Sequence, residues 1–170
     1  GTSLELLIGK DPYVYTSLLA KPKYKDASYP YDFIRTDIHD LEIKDEYKSI
    51  INLLLKYCSS GKIQIRVYSK NANGEAEFLH SKCYIFSGSS LSYGIIGSSN
   101  FTQKGLLGNA ELNYLETDPS RITARPTHGS NTKGHICWFE EKWELSKDWT
   151  QEFLEQIIKK SPIYIGIQQN

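Results

Sequence analysis

The residues best able to do chemistry lie between His80 and Glu111. His80-Ser81-Lys82 comes first, Gly97-Ser98-Ser99-Asn100 follows, and Glu111 closes the segment. A neutral imidazole is a good nucleophile toward phosphorus, and an ammonium beside it neutralises non-bridging phosphate oxygens. Ser98 and Asn100 add oriented donors for the same oxygens. A carboxylate such as Glu111 can accept from a histidine Nδ1–H, fix the ring tautomer and stabilise the imidazolium. Such a set suits a phosphodiester site. It needs no cofactor, and no metal-ligand spacing is present in the sequence.

Several elements must position these groups. Phe78 to Phe86 reads as a strand, so His80 and Lys82, two residues apart, share one face. Tyr93 to Ile96 reads as its hairpin partner across a Ser/Gly loop from Ser87 to Ser92. That pairing would bring Ser98 and Asn100 alongside His80 and Lys82. Glu111 to Glu116 alternates and reads as a further strand. If the chain is helical from Phe101, a phosphate would also meet helix N-terminal N–H groups, and Asn100 could equally be a simple helix cap.

Upstream, Leu4 to Ile8 is a nearly continuous apolar run closed by Gly9, expected as a buried strand. Residues 20 to 32 read as loop. Asp40 is a candidate cap for a helix whose apolar stripe is Tyr47, Ile50, Ile51, Leu54, Leu55 and Cys58, with Lys44, Glu46, Lys48 and Lys56 opposite and Gly61 as the stop. Lys62 to Ser69 alternates and reads as a strand that is half-buried or edges toward the sheet interior. Downstream, residues 119 to 134 form a long aperiodic stretch rich in Pro, Gly, Ser and Thr, expected as a loop. Ile136, Phe139 and Trp143 then share a helical face. A second helix is expected from Asp148, with Gln151 completing a capping box and Phe153, Leu154, Ile157 and Ile158 as its stripe, stopped by Ser161-Pro162. This order predicts an α/β fold: a mixed β-sheet flanked by helices over residues 1–160, with 161–170 a tail or linker.

Length and composition bound the function. The 170 residues carry 20 Lys+Arg against 20 Asp+Glu, so a globally basic nucleic-acid binder is excluded, though a basic patch is not. The three cysteines, Cys58, Cys83 and Cys137, form no C-x-x-C pair and are expected as buried thiols of a cytoplasmic protein. No apolar run is long enough to span a membrane. The chain contains no Met and opens Gly1-Thr2-Ser3, so it is expected to be a piece of a longer protein.

The ordered set His80-x-Lys82, Gly97-Ser98-x-Asn100 and Glu111 resembles the phospholipase D superfamily, whose signature is H-x-K-x4-D followed by G-S-x-N. The stretches LELLIG, FLHSKCYIF and WFEEKWELSKDW are similar to nuclease-like members found in restriction enzymes and at the N-terminus of SNF2-type bacterial helicases. The resemblance implies that His80 forms a phosphohistidine, that Lys82 and Asn100 bind the phosphate with help from Ser98, and that Glu111 orients the histidine. It implies a metal-independent phosphodiesterase of endonuclease type acting on DNA, attached to a helicase or ATPase domain. The family sets two such motifs face to face, the second histidine acting as general acid. One motif per chain therefore implies a homodimer with a composite site. Two departures stand out: the motif Asp falls on Ser87, and the first strand and helix of the family domain are expected to be missing.

Other readings stay open. The same pocket could hold a backbone phosphate without cleaving it, as a catalytically inactive DNA-binding module attached to a helicase. A lipid phosphodiesterase would want a second H-x-K motif and a membrane-facing apolar patch, and the sequence shows neither. No acidic residue lies between Pro119 and Phe139. Arg121, Arg125 and Lys133, with His128 and His135, are thus either a basic loop on a nucleic-acid backbone or a solvated loop. Lys21, Lys23 and Lys25 pose the same choice. Trp138, Trp143 and Trp149 read as core or interface side chains before base-stacking platforms. His39 has no assigned partner.

Overall fold

A computed structural model describes residues 2–9, 45–77, 79–89, 91–100 and 104–169. The lysines at 21, 23 and 25, His39, the Asp40 cap, Lys44, Phe78 and Phe101 lie outside the described residues. The described strands form two three-stranded sheets, and the chain divides into two compact units, one of residues 1–79 with 145–170 and one of residues 80–144. The α/β expectation holds, with the strands shared between a mixed and an antiparallel sheet.

In the first unit, β1 (Leu4–Gly9) runs parallel to β2 (Ile63–Tyr68), and β2 pairs antiparallel with the two-residue β6 (Lys147–Asp148). β2 is therefore central, with Ile65 and Tyr68 buried on opposite faces. Among the described strands β1 lies at the edge of this sheet and is only half covered, with Leu4 47% exposed, rather than the buried strand its apolar run suggested. Helix α1 (Asp45–Ser59) starts with Asp45 and Glu46 and has Lys56 in its last turn, as the helix dipole favours. It closes on Gly61, whose φ of 71° is the left-handed conformation that glycine adopts without strain. Its buried stripe is narrower than its sequence suggests: Ile51 and Cys58 are buried, while Ile50 is 50% exposed.

Past β6, α4 (Thr150–Phe153) continues as a π-helical turn, Leu154–Ile158. The anticipated capping box at Asp148 does not form. The Trp149 N–H bonds the Ile65 carbonyl at 2.9 Å, which keeps the chain strand-like to that point, and the Asp148 carboxylate instead accepts the Thr150 N–H at 2.8 Å. Phe153, Leu154, Ile157 and Ile158 form the buried stripe as expected, and Trp149 joins them in the core. Residues after Ser161 are not a tail. Ser161 accepts the Tyr164 N–H at 3.2 Å, Pro162 occupies the first turn, and α5 (Pro162–Gln168) buries Ile163 completely. The Ser-Pro pair that stops one helix starts the next.

In the second unit, β3 (Cys83–Ser87), β4 (Ser92–Gly97) and β5 (Asn113–Glu116) form an antiparallel meander. A π-helical turn at Lys104–Gly108 lies between β4 and β5. Helix α2 (Pro119–Thr123) occupies the start of the stretch expected to be all loop. Asp118 caps it by accepting the Ser120 N–H, and Ile122 is buried. Helix α3 (His135–Glu144) follows, with Phe139 and Trp143 stacked at 5.5 Å along its surface.

Candidate active site

All five residues of the proposed site belong to the second unit. The hairpin expectation is met: Cys83 opposes Ile96, and the Gly97 N–H bonds the Lys82 carbonyl at 3.2 Å. His80 and Lys82, however, precede β3 rather than lying on it, because the strand ladder begins only at Cys83. They still meet. Lys82 Nζ is 2.8 Å from His80 Nε2 and 3.3 Å from the His80 carbonyl. An ammonium has donors only, so Nε2 accepts and the proton of the neutral ring is assigned to Nδ1.

Glu111 is placed by the segment entering β5. The Ser98 hydroxyl donates to one carboxylate oxygen, and the Asn109 amide donates to the other at 3.2 Å. These two bonds, in that order, with help from the Lys82 charge, hold the Glu111 carboxyl below the usual carboxylate range. Ser98 is also tied to the backbone: its N–H bonds the Leu112 carbonyl at 3.1 Å, and its oxygen accepts the Leu112 N–H at 3.1 Å. Asn100, two residues on, is exposed.

The turn itself is fixed by residues outside the five singled out by type and spacing. Ser99 is buried at 4% exposure, and Asn113 and Tyr84 bond its polar groups. Gly97 is required by close approach. A Cβ there would lie 2.7 Å from the Asn113 Cα and collide with the Leu112 carbonyl and the Asn113 carboxamide. The Gly-Ser-x-Asn spacing held a signal for this: in an extended turn, x must face opposite to Ser and Asn. Ser87, standing where the family motif has Asp, lies at the far end of β3, where its hydroxyl is 3.4 Å from that of Ser92.

The cations of the acid-free segment meet carboxylates from its flanks. Arg125 pairs with Glu140 at 2.7 Å, Lys133 with Glu141 at 2.7 Å, and Arg121 lies 3.6 Å from the buried Glu116 and 3.8 Å from Asp118. Beside Glu111, Leu112 is 84% exposed, as is Leu107 in the π-helical turn. Among the described residues, no cluster of His, Cys, Asp and Glu could hold a metal ion, and no helix is long and apolar enough to cross a membrane.

The fold and this cluster define a phospholipase-D-like α/β protein. The chain matches the family described as cardiolipin synthase, PLD-like domain, over residues 38–143, which is more than half its length, and it belongs to that phospholipase-D-like family. No curated protein and no solved structure gives a significant match.

Proposed function

We propose that the protein is a metal-independent phosphodiesterase acting on DNA through a phosphohistidine on His80. The observation that carries this reading is the 2.8 Å approach of Lys82 Nζ to His80 Nε2. It sets a cation beside a neutral, nucleophilic nitrogen. A substrate phosphate takes over the ammonium, Asn100 donates to another of its oxygens, and the Ser98 hydroxyl joins them by turning its one hydrogen from Glu111 to the phosphate. Nε2 then attacks phosphorus in line, forming an N–P bond as one ester P–O bond breaks. The leaving oxygen takes a proton from a general acid, which in the proposed two-fold homodimer is His80 of the second copy. Water next attacks phosphorus, breaks the N–P bond and restores the imidazole, so one water is added across the ester. Glu111 supports the ring as positive charge develops. In this reading the domain serves an attached helicase or ATPase in the cytoplasm.

Two alternatives have specific support. Ser87 in place of the motif Asp favours a DNA-binding module that does not cleave. The exposed Leu107 and Leu112 favour an amphiphilic phosphodiester such as a phospholipid. Labelled DNA and phosphatidylglycerol vesicles, each incubated in EDTA with wild type and His80→Ala, separate the three. DNA cleavage lost in the variant supports the proposal. DNA binding without cleavage by either protein supports the module, and lipid turnover alone supports the third reading. A strict monomer in solution would remove the composite site.

A further inference from the structure

We propose that Asn113 is a positioning residue of this site: its carboxamide holds Ser99, and thereby sets the direction in which Ser98 and Asn100 point. The proposal rests on the phosphodiester reading above and adds to it a residue that the His-x-Lys, Gly-Ser-x-Asn and Glu motifs do not contain.

Ser99 is the middle residue of a turn whose neighbours, Ser98 and Asn100, are both exposed. Its three polar groups are all engaged. Asn113 Nδ2 donates to the Ser99 hydroxyl at 2.7 Å, and the Ser99 N–H donates to Asn113 Oδ1 at 3.4 Å. The Tyr84 hydroxyl donates to the Ser99 carbonyl at 2.7 Å. In extended backbone, successive side chains point to opposite sides, so drawing Ser99 inward turns Ser98 and Asn100 outward together. Gly97 opposes Asn113 in the β4–β5 ladder and has no side chain, so the carboxamide crosses it to reach Ser99. The bond between Ser98 and Glu111 then forms on the outward side.

Asparagine suits the task because one planar group offers a donor and an acceptor. Leucine has a similar shape and neither function, and it would leave the Ser99 N–H and hydroxyl buried without partners.

The test compares wild type with Asn113→Ala, Asn113→Leu, Ser99→Ala and the Asn113→Ala/Ser99→Ala pair. The first readout is amide hydrogen exchange at Ser98, Ser99 and Asn100 against Ile85 and Ile95 in the same sheet. The second is hydrolysis of bis(4-nitrophenyl) phosphate in EDTA. Asn113→Ala should speed exchange at residues 98 to 100 by at least about 10-fold and leave Ile85 and Ile95 unchanged. It should lower kcat by about 10- to 100-fold with little change in KM, since misdirected donors are lost chiefly in the transition state. The double variant should be no worse than the worse single one. Unchanged exchange at the turn, equal acceleration across the sheet, or additive losses in the pair would each overturn the proposal. If wild type cleaves no diester, the phosphodiester reading fails by itself, while exchange in the single and double variants still decides whether Asn113 holds the turn.

Discussion

Lys82 reaches back over one residue to place its ammonium 2.8 Å from His80 Nε2. In the proposed mechanism, the side chain that would neutralise a bound phosphate also occupies the lone pair of the proposed nucleophile until a phosphate draws it away. Lys82→Met should therefore lower diester hydrolysis by at least about 100-fold, the loss expected when a positioned charge is removed from a developing oxyanion. It should also expose His80 to acylation. The rate of His80 modification by diethyl pyrocarbonate, measured by mass spectrometry, checks this: it should rise in Lys82→Met. A fall or no change would show that the ammonium does not cover the ring.

The Ser98–Glu111 bond makes a pH prediction with a definite sign. The Glu111 carboxyl lies below its ordinary range, because of Ser98 first and Asn109 second. A carboxyl whose folded value is depressed contributes stability above its unfolded value and loses it as pH falls through the folded one. Ser98→Ala removes the larger cause, so the Glu111 titration should move up toward the ordinary carboxylate range. The acid limb of kcat/KM should move up with it. A carbon-detected titration of the Glu111 carboxyl, recorded beside the pH–rate profile, reads both shifts.

Gly97→Ala tests the close approach of β4 to β5. The new methyl has no room against Asn113 and Leu112, so the strands must part. Overpacking of this kind costs about 1–3 kcal/mol. Urea unfolding should show that loss, and activity should fall as well, since Ser98 is the next residue.

The paired cations predict how the 119–134 segment treats DNA. Arg125→Ala should leave stability almost unchanged, because its pair with Glu140 is largely exposed. Glu140→Gln and Glu141→Gln release Arg125 and Lys133. If the segment lies along the nucleic-acid backbone, these variants should bind DNA more tightly and with a steeper dependence on salt. Equal affinity across the salt series would take the segment out of the DNA path.

Ile163 is fully buried in the core of the first unit. Ile163→Ala should cost about 2–5 kcal/mol by leaving a cavity. Thermal melting of that variant, beside a chain ending at Lys160, measures how far α5 is part of the fold.

The local patterns were legible where one period dominated. The stripe of Phe153, Leu154, Ile157 and Ile158 is a helix face, and Tyr93 to Ile96 a strand, because apolar spacing alone decides those states. The order of elements and the α/β class follow from them. So does the meeting of His80 with Lys82, since a two-residue separation needs only extended backbone. Asp148 and Ser161 were harder to read: Asp148 satisfied a capping-box pattern and Ser161-Pro162 a stop signal, but the Trp149 N–H was claimed by Ile65 of β2, far back in the chain, and Ile163 by the core.

The sequence by itself determined the composition of the site and the order in which its parts arrive along the chain, because residue type and spacing are local properties. Tertiary structure alone decided three further matters. It split the strands between two sheets, since strand pairing is chosen by contacts distant in sequence. It set Glu140 and Glu141 against Arg125 and Lys133, so a segment without acids is not a bare basic surface. It also brought Asn113 over Gly97 to Ser99, a contact between strands that no count along the chain contains.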